Sequence, residues 1–344
     1  MAQIGSKSAR KVFNTPIAIL TFNRPQLTER LLGILAQVKP RRILVVSDGP
    51  RPTVASDVGK CAAVRDLFER LDWECQIQRN FATSNMGSFP RNSSGLNWVF
   101  KQVEEAIILE DDCMPNSSFF PYCEELLEKY RDDPAVGLIS GNNFLQPTMV
   151  PQVPSYFFSG YATTWGWASW RRTWHQVDLD MPYWPQFRDS GELRQSVFSS
   201  NEAKYWRWIY DAIQERRLTN AWDYQLMLAC MKFNLLTVVP SVNLVSNIGY
   251  GPEATHCTDN NSLASNVNAR EMTFPLVHPE KTQSSPQLDY QIFRRRFCPY
   301  WWLRWSRKVP GLFQLLKKML MSPNPIESLS LLVRHSERNI TRTR

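Results

Sequence analysis

Three adjacent carboxylates, Glu110, Asp111 and Asp112, directly follow a short apolar run from Ala106 to Leu109. Such a run is typical of a strand that is buried on both faces. The carboxyl end of a parallel strand opens into the crevice where α/β sheets bind ligands. Three like charges repel one another there, so the sequence predicts a compensating cation. Hard oxygen ligands favour Mg²⁺ or Mn²⁺, which commonly bind one or two carboxylates together with a substrate diphosphate.

The position of the acidic run on the strand refines this prediction and leaves one alternative. Strand alternation through the run predicts that Glu110 and Asp112 point to one side and Asp111 to the other. The alternative is a solvated acidic loop between a strand and a helix. Solvated charge runs are typical of helix faces, whereas this run follows a strand, so we favour the cation site.

The elements that would position these carboxylates alternate along the first third of the chain. Apolar runs separate segments in which apolar residues recur at helical spacing, which gives a β-α-β-α-β-α-β order. This order predicts a mostly parallel central sheet that is flanked by helices. The predicted strands are 16–22, 42–47, 73–79, 106–109, 136–140, 156–159 and 235–239, and the predicted later helices are 117–131, 201–217 and 222–232.

Composition favours a cytoplasmic protein. The chain has 344 residues, of which 43% are apolar, so it can form one large soluble domain or two small ones. Its seven cysteines show no zinc-like spacing, and reduced thiols are the simplest account of them. No signal peptide is evident, and no segment approaches the roughly 18 consecutive apolar residues of a spanning helix.

Positive charge is concentrated at the end of the chain. From Asp289 onward, twelve Lys or Arg face three Asp or Glu, a balance of +9, whereas the whole chain carries +8. The preceding residues are therefore almost neutral as a group. We predict a main domain at residues 14–270 and a basic, amphipathic helical tail at residues 271–344.

The tail has the pattern of a membrane-surface helix. Three tryptophans surround Arg304, and residues 312–320 place apolar side chains on one helical face and lysines on the other. A helix of this kind binds in the plane of an anionic membrane surface. We therefore expect peripheral contact with the inner membrane face through residues 290–344. The same stripe also fits packing against the main domain or against a second subunit.

Several motifs follow one another along the chain, namely Thr21 to Arg24, Asp48-Gly49, Asn85, Gly87, Arg91, Gly95, Glu110 to Asp112, Gly160 to Arg172, and Asp223. Their order resembles that of the family-2-like glycosyltransferases with a GT-A fold, a Rossmann-like α/β architecture. The likeness covers roughly residues 14–258, and the acidic run resembles the Glu-Asp-Asp motif of the N-acetylglucosaminyltransferase I type rather than a plain Asp-x-Asp.

The resemblance implies a reaction and a set of roles. An acceptor hydroxyl, on a glycan or a glycolipid, would attack the anomeric carbon of a nucleotide-sugar by inverting single displacement. Asp112 would bind Mn²⁺ or Mg²⁺, which neutralises the leaving diphosphate. The residues expected to contact the donor are Thr21, Asn23, Arg24, Asp48, Asn85, Gly87, Arg91, Glu110 and Asp111.

Further candidates would complete the site on its acceptor side. Asp223, at a predicted helix start, is the candidate general base, and the alternative is a plain N-cap aspartate. His256 is a candidate second metal ligand, although a lone histidine is often structural. The candidates for stacking on sugar rings are Trp165, Trp167 and Trp222, with Gly166 allowing close approach, and core packing of the tryptophans is the alternative.

Two other classes of function fit the sequence less well. A sugar nucleotidylyltransferase normally has a glycine-rich first loop followed by Lys, whereas this chain has Asn23-Arg24-Pro25 there. It also lacks the P-loop and dinucleotide-binding patterns. A non-catalytic protein that binds a membrane surface or nucleic acid would not require the acidic run, and the basic residues are confined to the tail. We therefore expect no nucleic-acid partner.

Overall fold

The computed structural model describes residues 13–145, 154–218, 222–249 and 267–297. The chain divides into two compact units, residues 1–295 and residues 296–344. All but the first two residues of the second unit lie outside the described ranges, so the predicted helical tail is described only as far as residue 297. His256, in the first unit, also lies outside the described ranges. The predicted boundary at residue 270 falls inside the first unit.

Eight strands form one mixed sheet, in the order β3-β2-β1-β4-β8-β6-β9-β7, and two short strands form a separate antiparallel pair. In chain order the strands are β1 (Ile17–Thr21), β2 (Arg42–Ser47), β3 (Gln76–Phe81), β4 (Glu105–Glu110), β5 (Cys113–Pro115), β6 (Val136–Ser140), β7 (Tyr156–Ser159), β8 (Trp167–Trp170), β9 (Leu236–Pro240) and β10 (Val245–Asn247).

Helices flank the large sheet, as the alternating sequence pattern predicts. They are α1 (Pro25–Val38), α2 (Ser56–Leu67), α3 (Ser88–Gln102), α4 (Phe119–Lys129), α5 (Arg171–Trp174), α6 (Trp184–Asp189), α7 (Glu192–Gln195), α8 (Ser200–Gln214), α9 (Asp223–Phe233) and α10 (Pro286–Ile292), which continues into a π turn at Phe293–Phe297. Among these described helices, none has the length and apolar character needed to cross a membrane.

Parallel pairing of the first four strands brings their carboxyl ends to one edge of the sheet. β1 lies between β2 and β4 and is parallel to both. These three strands are buried nearly throughout, because helices cover both faces of a parallel sheet. The acidic run at the end of β4 therefore lies beside the residues that follow β1. The predicted α/β class, with a mostly parallel central sheet, is confirmed.

The Trp-rich segment, residues 160–174, breaks the parallel pattern of the sheet. β8, which lies inside that segment, runs antiparallel between β4 and β6. β7 is also antiparallel to its neighbour β9. The alternating order of strands and helices in the first third of the chain could not predict these reversals, because they occur after it ends.

Candidate active site at the carboxyl end of β4

The acidic run does not continue as a strand. β4 ends at Glu110, and Asp111 and Asp112 form the turn that leads to β5. The predicted alternation, with Asp111 opposite the other two carboxylates, is therefore wrong. Arg24 Nη1 lies 2.8 Å from Asp112 Oδ2 and 3.4 Å from Asp111 Oδ1, so one guanidinium reaches both aspartates.

Arg24 reaches the acidic turn because β1 is parallel to β4. The arginine follows the end of β1 and directly precedes Pro25, the first residue of α1. Burial would lower the pKa of Arg24, but the charges of Asp111 and Asp112 outweigh this effect and raise it. The residue is therefore held as a cation beside the acidic run, and its side chain remains 21% exposed.

The carboxylates outnumber the cation that contacts them. Burial, together with the charges of Asp112, Asp111 and Asp223, raises the pKa of Glu110 to about 8. Burial also raises the pKa of Asp111 to about 7, although Arg24 opposes this shift. Crowding and burial thus favour the protonated form of Glu110 and Asp111, and a compensating cation would favour their ionised form.

The short antiparallel pair places a second strand against the acidic turn. β10 pairs with β5 so that Asn247 faces Cys113. Asn247 Nδ2 donates a hydrogen bond to Asp112 Oδ1 at 3.2 Å, and the backbone N–H of Ile248 donates to the carbonyl of Asp112 at 3.0 Å. Sequence reasoning assigned no role to Asn247, and strands of three residues give too weak a pattern to reveal this pairing.

Gly249 continues this close approach. Its N–H donates to Asn247 Oδ1 at 2.9 Å, which fixes the orientation of the Asn247 amide. A Cβ at position 249 would overlap the Asp112 carboxylate, so the chain needs glycine there. The backbone after β10 therefore packs directly against the carboxylate without a side chain between them.

These features fit a divalent cation. The oxygens are hard ligands, and the Arg24 guanidinium already places positive charge beside Asp112 Oδ2. Within the described ranges, no group of three or more His, Cys, Asp or Glu side chains is arranged to hold a metal. The residues thus suit a cation that takes one or two protein carboxylates and further oxygens from a substrate.

Asp223 belongs to the same edge of the sheet. It is the first residue of α9, and its charge is one cause of the raised pKa of Glu110. Asp223 therefore lies within electrostatic range of the acidic run. Trp222 directly precedes it and is only 4% exposed.

The Trp-rich segment contributes mainly to the core. Trp167 is 1% exposed and stacks on Trp222 with ring centroids 6.0 Å apart. Both rings therefore lie in the core rather than on a sugar-binding surface. Gly166 has a positive φ of 64° and packs against Val245 of β10. Trp165 is partly buried, with its ring centroid 5.0 Å from that of Phe144, and keeps some surface open.

Asp48, after β2, is the centre of a second cluster at the carboxyl ends of the parallel strands, in which one carboxylate is surrounded by N–H donors. Its oxygens accept hydrogen bonds from the backbone N–H groups of Gly49, Met86 and Gly87 at 2.8, 2.9 and 3.1 Å. Asn85 Nδ2 donates a fourth, at 2.9 Å. An ionised carboxylate offers about four acceptor positions. Asp48 is therefore saturated by the loop that precedes α3.

Other predicted donor residues lie near this cluster or away from it. Asn23 Nδ2 donates to Asp57 Oδ1 at 2.8 Å, and Asp57 also accepts from Arg51 Nε at 2.6 Å. Thr21 is buried at the end of β1. Arg91 is buried between α3 and β3, where its guanidinium donates to the side chain and carbonyl of Asn80. The structure therefore does not bring Arg91 to the acidic turn.

The chain has distant likenesses among solved structures. No model of a protein family matches the sequence, and neither does any curated protein. A mannosyltransferase from Pyrobaculum calidifontis, solved with GDP-Man and Mn²⁺, is 16% identical, covers 63% of this chain and 73% of its own, and has a TM-score of 0.35. Mouse xyloside xylosyltransferase 1, in its apo form, is 10% identical, with coverages of 72% and 86% and a TM-score of 0.31. Both are glycosyltransferases, but similarity at this level carries no conclusion about the function of this chain.

Proposed function

We propose that this protein is a metal-dependent glycosyltransferase that moves a sugar from a nucleotide-sugar to an acceptor hydroxyl on a glycan or glycolipid. The observation that carries the proposal is the arrangement at the end of β4. Two of three successive carboxylates, those of Asp111 and Asp112, contact the guanidinium of Arg24 at the carboxyl ends of the parallel strands β1 and β4. Ligands of open α/β sheets bind at this edge. An excess of hard oxygen ligands suits a divalent cation and the diphosphate that it carries.

Asp112 is the proposed ligand of Mn²⁺ or Mg²⁺, with His256, outside the described ranges, as a second candidate. When bound, the cation neutralises the charge that develops on the leaving diphosphate. Glu110 and Asp111 are then placed to accept hydrogen bonds from hydroxyl groups of the donor. Arg24, whose planar guanidinium matches phosphate oxygens, lies within reach of the same diphosphate.

Asp223 is the proposed general base. In the transfer, the acceptor oxygen forms a bond to the anomeric carbon while the bond from that carbon to the diphosphate oxygen breaks. The acceptor proton moves to the Asp223 carboxylate, and the nucleoside diphosphate leaves with the electron pair. Attack from the side opposite the leaving group inverts the anomeric configuration. Trp165 is the proposed aromatic contact for the acceptor.

The nucleotide itself is proposed to lie along the ends of β1 and β2. Thr21 ends β1 and Asn23 follows it, and Asp48, whose N–H donates to the Thr21 carbonyl, holds the loop at Asn85 and Gly87. With its acceptor positions occupied by that loop, Asp48 contributes chiefly by fixing the loop that borders the nucleotide.

Turnover of a panel of donors tests the proposed function. Purified protein is incubated with UDP-, GDP- and dTDP-sugars and Mn²⁺, and release of nucleoside diphosphate is measured with and without a chelator. We expect slow, Mn²⁺-dependent release from one nucleotide class, and thermal stabilisation by that same class. Asp112→Asn should lose this Mn²⁺-dependent release. Asp132→Asn, at an exposed turn, is the matched control and should keep it. Formation of nucleoside triphosphate from nucleotide-sugar and pyrophosphate would identify a nucleotidylyltransferase instead.

The basic tail supports a lipid-linked acceptor at the inner membrane face. Each cation near an anionic surface contributes about 1 kcal/mol to binding. Ser159 Oγ donates a hydrogen bond to Asp289 Oδ1, and Ile292 and Phe293 are buried. A truncated protein that keeps these contacts therefore ends after residue 297. We expect the truncated protein to stay folded and to hydrolyse donor, but to lose binding to vesicles that contain anionic lipid. An intact protein that ignores such vesicles at low salt contradicts the membrane role.

A further inference from the structure

We infer that Arg24 and the divalent cation compete for one oxygen of the site, Asp112 Oδ2, while Asn247 holds the other oxygen, Asp112 Oδ1, in place. This inference rests on the proposed metal-dependent function and deepens it. Arg24 thereby becomes a residue that sets the affinity for metal, and Asn247 becomes a positioning residue. Neither role follows from the order of sequence motifs.

The two oxygens of Asp112 have partners of different kinds. Oδ1 accepts from the neutral amide of Asn247 at 3.2 Å and lies 3.8 Å from Cys113 Sγ. Oδ2 accepts from the charged guanidinium of Arg24 at 2.8 Å. A positive charge thus occupies Oδ2, whereas a neutral donor occupies Oδ1.

The partner of Oδ1 is rigidly held. Asn247 is the last residue of β10 and pairs with Cys113 across the small sheet. Its side-chain oxygen accepts from the N–H of Gly249 at 2.9 Å, and Ile248 N–H donates to the Asp112 carbonyl at 3.0 Å. The amide is therefore fixed at both ends and cannot leave Oδ1 without disrupting the backbone around it.

The partner of Oδ2 can move. The Arg24 side chain is 21% exposed and is long and flexible. It also lies 3.4 Å from Asp111 Oδ1, so it keeps a carboxylate partner when it releases Asp112. A guanidinium and a divalent cation at the same oxygen would repel each other at close range. Binding of the cation therefore requires Arg24 to shift.

The backbone leaves little room for both cations. A Cβ at Gly249 would overlap the Asp112 carboxylate, which shows that the chain closes on Oδ2 from that side. A metal that reaches Oδ2 consequently approaches where Arg24 lies. Competition between the two cations lowers the affinity for free metal and couples its binding to that of an anionic donor, which offers Arg24 a new partner.

Titration with Mn²⁺ alone, without nucleotide, tests the exchange. Binding is followed by loss of the electron paramagnetic resonance signal of free Mn²⁺. We expect Arg24→Met to bind Mn²⁺ about 10-fold more tightly than the natural protein, because the competing charge is gone. Arg24→Lys, which keeps the charge, should change the affinity by less than about threefold. Arg30→Met, which replaces an exposed arginine on α1, is the matched control and should leave the affinity for Mn²⁺ unchanged.

Asn247→Ala should have the opposite sign. Loss of an outer partner of a metal ligand typically weakens metal binding by about 10- to 100-fold. Asp112→Asn should abolish binding and thereby assign the signal to this site. If Arg24→Met does not fold by circular dichroism, Arg24→Gln replaces it in the same titration.

The outcomes separate the exchange from the function. Mn²⁺ binding that depends on Asp112 but is unchanged or weakened in Arg24→Met overturns the exchange and leaves the metal site standing. A natural protein that binds no Mn²⁺, with or without UDP or GDP, overturns both. Tighter binding in Arg24→Met together with weaker binding in Asn247→Ala supports the exchange.

Discussion

Two carboxylate clusters lie at the same edge of the sheet, flanking β1, and they differ in how their charge is satisfied. Asp48, after β2, accepts four hydrogen bonds from neutral N–H groups of its own loop region. Asp112, after β4, shares one arginine with Asp111 and has Glu110 beside it. Both carboxylates are buried, but only in the second cluster do carboxyl groups outnumber the cation that contacts them.

The comparison separates a structural carboxylate from a functional one. Neutral donors that fill every acceptor position make a closed network, which stabilises a loop and leaves little for a ligand. Surplus charge is costly for folding and persists in proteins when a ligand or cation makes use of it. We therefore expect changes at Asp48 to affect stability, and changes at the acidic turn to affect metal binding and turnover.

The largest effect is expected at the acidic turn itself. Asp112→Asn should lower Mn²⁺-dependent turnover by more than about 10³-fold, because the metal loses its principal anionic ligand. The urea midpoint of unfolding should change little, since the substitution removes charge from a crowded acidic turn. Turnover within about twofold of the natural protein would remove Asp112 from the proposed mechanism.

Asp223→Asn should have the next largest effect. Loss of a general base lowers kcat by about 10²- to 10⁴-fold, with little change in affinity for the donor. Kinetics with the identified donor and acceptor measure the change, and nuclear magnetic resonance of the product gives its anomeric configuration. A product that retains the donor configuration would contradict single displacement. Loss of donor affinity would instead make Asp223 a donor contact.

At the second cluster the expected change is in stability. Asp48→Asn replaces one carboxylate oxygen by an NH₂ group, which cannot accept the hydrogen bonds that the oxygen accepted. The N–H donors left unsatisfied cost about 2 kcal/mol of unfolding free energy. Urea unfolding measures this change against Asp132→Asn, which replaces an exposed carboxylate. Mn²⁺ affinity should stay within about threefold. A large loss of metal binding at unchanged stability would reverse the contrast between the two clusters.

The smallest effect concerns Asp57, which holds Asn23 and Arg51. The hydrogen bond from Arg51 lowers the pKa of Asp57 to about 2, against the opposing effect of burial. The folded state thus binds the proton less well than the unfolded state, so the ion pair stabilises the protein above about pH 4. That contribution is lost as the pH falls through about 2. Because Arg51 is 46% exposed, we expect only about 1 kcal/mol.

Unfolding at several pH values checks this prediction. The natural protein and Asp57→Asn are compared by urea unfolding at pH 7, 4 and 3. The difference in unfolding free energy should be similar at pH 7 and above about pH 4, and should shrink at pH 3. A difference that stays the same from pH 7 to pH 3 would show that the charge of Asp57 does not stabilise the fold.

Local sequence patterns predicted the strands well. β2, β6 and β7 have the predicted bounds, because each is a short apolar run between polar or turn-forming residues. The acidic run was found for the same reason, since it follows such a strand. β8 was missed, because its tryptophans match both a strand and a sugar-binding surface, and only long-range pairing with β4 and β6 decides between them.

The partners of the site residues could not be predicted in the same way. Arg24 and Asp112 are 88 residues apart in sequence, and Asn247 and Asp112 are 135 apart. Such contacts depend on strand order and on the short β5–β10 pair, neither of which has a local signature. Three of the four donors to Asp48 depend likewise on the path of the loop between β3 and α3, which composition alone does not fix.

Nucleotide affinity with and without metal tests the central claim most directly. UDP and GDP binding is measured by calorimetry for the natural protein and for Asp112→Asn, in Mn²⁺ and in chelator. We predict that Mn²⁺ strengthens binding of one nucleotide by about 10-fold or more in the natural protein and leaves Asp112→Asn unchanged. Nucleotide binding in the natural protein that is equally strong with Mn²⁺ and with chelator would contradict a cation-dependent donor site at the end of β4.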